Sequence, residues 1–335
     1  MRFGLRVPLL HDSSSRDPYH QTYTLCQAAE NAGFDFVSLT HHAFTPECQT
    51  SAPFVILAAI AARTTKLKLS TIIYILPLYH PAAVAEQVAS LDLISNGRVI
   101  FGIGIGYRDY EFAGMGTNLK DRGARTDEAL TAIRHAWTTG RFNHQGKHFQ
   151  IPDLPAVPMP VQRPHPPMWI GGVSEPAMRR AARLGDGWIG QNMQMLEEET
   201  QQADQYRKYC AEEGRKPFVC MTRNAWVAAT RAEVETDWYP SCVEFNLGYR
   251  RAGVIVPDPA GVYERLERGQ NVSLEEYAHD RAIAGTPKDC VAQLRRWKER
   301  SNFDAMLFLL NEEAGFEKMH TAITMFGREV FPALA

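Results

Sequence analysis

The sequence predicts an α/β fold of the (β/α)8 TIM-barrel class, a single domain over residues 1–335. Strand-like apolar runs alternate with segments of helical spacing, eight such runs occur, and a helical pattern follows the last of them. Alternation of this kind predicts parallel strands joined by right-handed crossovers. Eight strand-helix units are what closing a barrel requires.

The runs occupy residues 2–7, 36–39, 67–73, 99–104, 168–170, 187–190, 219–228 and 305–310. The first, Arg2-Phe3-Gly4-Leu5-Arg6-Val7, alternates as a strand does. Residues 22–32 have helical spacing, and residues 80–95 place Val84, Val88, Leu91 and Ser95 on one helical face. After the eighth run, Met319, Ile323, Phe326 and Val330 recur at i, i+4, i+7 and i+11 and supply the closing helix. Two stretches break the repeat. Residues 143–149 suggest a hairpin turning at Gly146, and the proline-rich run 152–167 has few backbone donors, so 141–167 is an excursion ahead of strand five. Residues 233–280 are charged and interrupted by Pro257, Pro259 and Gly261. Following strand seven, they belong at the catalytic mouth of a barrel, as a lid or as a solvated insertion. An open dinucleotide-binding sheet would carry GxGxxG after its first strand. Here the glycine-rich run is Gly102-Ile103-Gly104-Ile105-Gly106, after the fourth, with its third glycine one place early.

Composition excludes several function classes. Net charge is −2, with 36 basic and 38 acidic residues interleaved, so neither nucleic acid nor an anionic membrane is an expected partner. Cys26, Cys48, Cys210, Cys220, Cys242 and Cys290 are scattered without a CxxC pair, which predicts reduced and mostly buried thiols. No signal-like segment or long apolar run is present, so the expected location is cytoplasmic.

Barrel active sites lie on the loops after strands. After strand two stand His41 and His42, which point in opposite directions on an extended segment, so one of them faces the mouth. An imidazole there is a general acid or base near neutral pH, or else a buried structural histidine. No third ligand at metal spacing accompanies them, and no metal is expected. After strand three, Ile72-Ile73-Tyr74-Ile75-Leu76-Pro77 either backs a flat apolar ligand or packs into the core. After strand four, Gly104-Ile105-Gly106-Tyr107-Arg108 lets a ligand or a neighbouring chain approach closely. Arg108 is a phosphate partner there, or pairs with Asp109 or Glu111. After strand five, Gly171-Gly172-Val173-Ser174-Glu175-Pro176-Ala177 combines an N-cap serine with glycines at the positive end of a helix, a ready anion site.

Five stretches together resemble the bacterial luciferase-like flavin monooxygenases along nearly the whole chain. They are ENAGFDFVSLTHH at 30–42, HPAAVAEQVASLDLISNGRVIFGIGIG at 80–106, EFAGMG at 111–116, PPMWIGGVSEPAMRRAARLGDGW at 166–188 and GTPKDC at 285–290. The resemblance implies the barrel already predicted. It makes His41 the catalytic histidine beside the flavin and places a non-proline cis peptide at Ile72-Ile73. It puts the ring and phosphate contacts at Gly172, Val173, Ser174 and Ala177, with Gly104, Tyr107, Arg108 and Gly171 as further cofactor-binding candidates. Departures are visible: Gly104 replaces luciferase's reactive cysteine, Ile105 its phosphate-binding arginine, and Ala177 a phosphate-contacting threonine. These argue against light emission.

The implied reaction uses reduced FMN (FMNH2) and O2, through a C4a-peroxyflavin, to oxygenate a small hydrophobic substrate by hydroxylation or Baeyer–Villiger attack. A separate NAD(P)H:flavin reductase would supply the reduced flavin, since no nicotinamide fingerprint is present. Related enzymes pair through helices flanking the early strands, which implies a homodimer. Two alternatives stand beside this reading: an F420-dependent hydride-transfer oxidoreductase of the same family, and a non-catalytic flavin-binding accessory subunit.

Overall fold

A computed structural model describes residues 1–10, 14–45, 50–251, 256–258, 260–310 and 312–334. Cys48 and Pro259 lie outside these. Strands form at all eight expected runs: β1 Arg2–Arg6, β2 Phe36–Leu39, β3 Lys68–Thr71, β4 Val99–Gly104, β5 Met168–Gly171, β6 Gly187–Ile189, β7 Val219–Val227 and β8 Ala305–Leu309. The major helices of the repeat are α1 His20–Asn31, α2 Pro53–Ala61, α3 Pro81–Ile94, α4 Arg122–Thr139, α5 Glu175–Leu184, α6 Leu196–Glu212, α7 Pro287–Ser301 and α8 Phe316–Met325. The chain divides into two compact units, one of residues Phe36–Trp188 and Tyr206–Phe218, the other of Met1–Asp35, Ile189–Gln205 and Val219–Ala335.

In the first unit the sheet runs β2-β3-β4-β5, all parallel. Every residue of β4 is buried, as expected of a Val/Ile-rich parallel strand covered on both faces. On one face Phe101 meets Phe54 of α2 and Trp137 of α4, at 6.0 and 6.3 Å between ring centroids. On the strands themselves, Phe36 packs edge-on against Trp169 at 5.6 Å. Helix α3 begins at Pro81, with His80 Nδ1 accepting from the Ala82 amide at 3.3 Å. Val84, Val88, Leu91 and Ser95 are all buried. The hairpin around Gly146 exists, as antiparallel strands Arg141–Gln145 and Gln150–Pro155. Its turn is pinned by Glu128 of α4, which accepts from the amides of Lys147, His148 and Phe149 at 2.9–3.1 Å. The proline-rich run is anchored through Gln162, whose amide and side chain donate to the buried Asp92 carboxylate at 2.9 and 2.8 Å.

In the second unit a short strand, Ala282–Gly285, lies beside β7, followed by β8 and β1, again parallel. The segment 233–280 is not an irregular loop. It folds as helices Arg231–Asp237, Tyr239–Arg251, Val262–Glu267 and Leu274–Ala278. The first is held by a Thr230/Glu233 capping box, and Trp238, Cys242, Tyr263 and Tyr277 bury their side chains. The GTPKDC stretch is a second capping box, Thr286 with Asp289, opening α7 with Pro287 in its first turn. Met319, Ile323, Phe326 and Val330 are each fully buried, as their spacing requires. Cys26, Cys210, Cys220, Cys242 and Cys290 are buried free thiols. Among the described residues, no helix is long and apolar enough to cross a membrane.

Candidate active site

The candidate residues stand at the carboxyl ends of β2, β3, β4 and β5, all within the first unit. The two histidines after β2 differ sharply. His41 is 1% exposed and its ring is stacked on Tyr74 at 4.6 Å. Its Nδ1 accepts from the Ile75 amide at 3.1 Å, so the proton of the neutral ring sits on Nε2, which donates to Tyr79 Oη at 3.0 Å. Burial, reinforced by the neighbouring His42, lowers its pKa to about 4. His41 is therefore a neutral hydrogen-bonding group at neutral pH. His42 is half-buried and directs Nδ1 to Glu111 Oε1 at 3.0 Å. Its pKa is lowered by burial and by the Arg108 charge, with Glu111 opposing both.

The apolar run after β3 divides between the two expectations for it. Tyr74, Ile75 and Leu76 are buried, and Tyr74 lies among Phe54, Phe101, His41 and Tyr79, so core packing accounts for them. The Ile72-Ile73 peptide is cis, at the position the resemblance indicates. Ile73 is the half-buried member of the pair. A Cβ on Gly104 would fall 1.7 Å from Ile73 Cδ1, so the glycine makes room for that side chain. The approaching group at Gly104 is thus a neighbouring strand end.

Arg108 forms neither of the ion pairs expected with Asp109 and Glu111. Its Nη1 donates to Thr45 Oγ1 at 2.8 Å and to Tyr110 Oη at 2.9 Å, and its guanidinium carbon lies 5.5 Å from the Tyr107 ring centroid. Glu111 is spent elsewhere. Its buried Oε1 accepts from the Ala43 amide at 2.9 Å as well as from His42, while Oε2 is buried without a partner.

After β5, Gly171, Gly172 and Val173 are half-buried and Ser174 is exposed. Ser174 occupies the N-cap position with extended backbone, but its side chain makes no cap bond. The first-turn amides of α5 are therefore not consumed by a side chain. Gly172 has φ +133°, and a Cβ there would lie 2.7 Å from Ala177 Cβ. Its carbonyl accepts from Trp188 Nε1 at 2.7 Å, which fixes the turn. Ala177 is buried beneath it. Gly104 and Gly171 each follow one residue after the paired Ile103 and Ile170, so the two glycine segments open side by side.

The structure thus joins His41, Ile72, Ile73 and Gly104 in one packed corner, and Tyr107 with Arg108 in an exposed one. Gly171–Ser174 form the adjoining turn. Sequence reasoning missed Tyr74 and Tyr79, which hold His41, and the His42–Glu111 pair. The adjacent histidines and the EFAGMG stretch carried that second signal without saying which histidine is accessible.

Strand-end glycines beside an uncapped helix, with polar groups gathered at the same ends, are the arrangement that a barrel-type α/β enzyme uses to receive an anionic ligand. The chain belongs to the luciferase-like monooxygenase family, whose model matches residues 1–303. It is 25% identical to the oxygenase component of a flavin-dependent trigonelline monooxygenase from Acinetobacter baylyi, covering 100% of this chain and 96% of that protein. An FMNH2-dependent dimethylsulfone monooxygenase from Pseudomonas putida is 28% identical over 98% of this chain and 91% of its own. The fold is that of the monooxygenase RslO1 from Streptomyces bottropensis, with TM-score 0.84, 24% identity and 100% of both chains covered. F420-dependent oxidoreductases are among the further matches.

Proposed function

We propose that this protein is the oxygenase of a two-component system that takes reduced FMN and O2 and oxygenates a small organic substrate. The observation that carries this reading is the accessible glycine turn at 171–174, with the first turn of α5 left uncapped by any side chain. The amides there fit a phosphate, and Gly172 keeps the turn free of a β-carbon. Nearby cations are engaged elsewhere: Arg179 with Glu175 and Glu212, Arg180 with Asp127. Backbone donors and the helix dipole are therefore the phosphate grip. This fits a chain lacking both the arginine and the threonine of luciferase.

Bound reduced flavin would supply the electrons and the oxygen chemistry. The chain's own residues orient, shield and manage protons. Ile72 and Ile73 present an apolar edge that excludes water. His41 stays neutral and holds the Tyr79 hydroxyl, so its part in catalysis runs through that group. His42, with Nδ1 on Glu111, offers Nε2 as the accessible proton acceptor or donor. With no nicotinamide fingerprint in the sequence, a separate NAD(P)H:flavin reductase completes the system, and a cytoplasmic homodimer is the working form.

Fluorescence titration with FMN and with F420 tests the cofactor. Micromolar FMN binding, with oxygen uptake and substrate-dependent product from photoreduced FMN in air, is the expected result. Tight F420 binding with none for FMN would replace this reading with hydride transfer.

A further inference from the structure

We infer that Arg108, Tyr107 and Tyr110 form a substrate subsite for the carboxylate of a small planar organic acid, beside His42. The inference rests on reading this mouth as the substrate side of a flavin site.

Three observations carry it. First, the Arg108 charge has no carboxylate partner among the described residues. Nη1 is tethered to the neutral oxygens of Thr45 and Tyr110, and the Tyr107 side chain is a further neutral hydrogen-bond partner of the guanidinium. A guanidinium held only by neutral partners keeps its charge uncompensated, and its coplanar N–H donors suit a carboxylate. Second, the surroundings are flat and apolar where a solvated arginine would need none of it. Tyr107 and Tyr110 are 54% and 47% exposed, and the guanidinium lies 5.5 and 6.0 Å from their ring centroids. Exposed rings around a half-buried cation suit a planar molecule that stacks while its anionic end is held.

Third, direction separates this cation from the phosphate turn. In the order β2-β3-β4-β5, Arg108 follows β4 and reaches back to Thr45 after β2, whereas the glycine turn follows β5 on the other flank. On this proposal Arg108 serves a second anion rather than standing in for the luciferase arginine that Ile105 replaces. Two anion-binding features flank β4, one built of amides and one of a guanidinium.

The placement also engages the proton-handling group. His42 lies edge-on to Tyr107 at 6.2 Å and feels Arg108 as a positive neighbour, with Glu111 on its far nitrogen and the neutral His41 next in chain. A carboxylate on Arg108 neutralises that neighbour and raises the His42 pKa, so binding the correct substrate readies the imidazole as a proton donor.

The test uses the FMN-loaded protein and calorimetric titration with benzoate against benzamide and nicotinate against nicotinamide. The wild type is expected to prefer each acid over its amide by tenfold or more. Arg108→Gln should abolish the preference while FMN affinity changes less than twofold. NMR titration of the wild type should show the His42 ring pKa rising when benzoate binds. A wild type that binds FMN yet shows no preference for acids overturns the subsite. So does an Arg108→Gln protein that keeps the preference, or one that loses FMN tenfold, which would return the guanidinium to the cofactor. Acid preference in a protein that binds no FMN would leave the subsite standing and defeat the flavin reading alone.

Discussion

His41 and His42 are neighbours in the chain with opposite electrostatic fates. Alternation along an extended segment put one of them at the mouth but could not say which, because burial depends on what the later strands bring against it. Tyr74, 33 positions on, covers His41 and leaves His42 beside Arg108. The consequence for stability has a definite sign. The unfolded imidazole binds a proton near pH 6.5, whereas folding holds that of His41 down to about 4. The unfolded chain thus carries more protons between those values. The stability contributed by the neutral His41 is complete above about pH 6.5, declines as pH falls towards 4, and is constant below. The loss is on the order of 3 kcal/mol at most, from 1.4 kcal/mol per pH unit. Urea unfolding at pH 7 and pH 4.5 of wild type and His41→Asn reads it. Wild type should lose more stability on acidification than the variant, and equal losses would refute the assignment of a neutral, buried ring. Gly104 illustrates the same limit of sequence: a missing β-carbon announces a close approach, and only the fold identifies the visitor as Ile73.

Helix starts in this chain are closed in different ways, and α1, α2, α4 and α8 also begin without a side-chain cap. The helix Arg231–Asp237 and α7 open with complete capping boxes, and α3 opens on the His80 ring. At α5, Ser174 has the backbone of a cap without the bond. Substituting Gly172→Ala should weaken FMN binding tenfold or more, because the new Cβ meets Ala177 Cβ at 2.7 Å and φ +133° disfavours any side chain. Thr286→Ala, which opens the α7 box, should cost about 1 kcal/mol of stability and leave FMN affinity unchanged. Should both variants lose FMN alike, the α5 turn has no special claim on the phosphate. The eight strands were legible because parallel strands covered on both faces are near-continuous apolar runs. The 233–280 helices were not, since four segments of 5–13 residues, interrupted or separated by prolines and glycines such as Pro240, Gly248 and Gly269, leave no sustained period.

At the scale of the whole molecule, the (β/α)8 class followed from counting units, while the expected homodimer rests on resemblance alone. Yet residues 53–61, PFVILAAIA, are apolar all round, which a lone surface helix avoids. Pro53, Phe54, Leu57, Ile60 and Ala61 face the core, but Val55 is 68% exposed, and Leu93 and Ile94 at the end of α3 are 46% and 59% exposed. No charge interrupts α2 to keep it in water. In the proposed homodimer a second copy would cover this face with its own α2, since a two-fold axis lets one patch serve both partners. Sedimentation at micromolar concentration should therefore give twice the 37.7 kDa chain mass. Val55→Glu places a charge in that contact and should shift the protein to the monomer mass while leaving its far-UV spectrum unchanged. A wild type that sediments as a monomer, or a Val55→Glu protein that remains paired, would exclude α2 as the dimer surface.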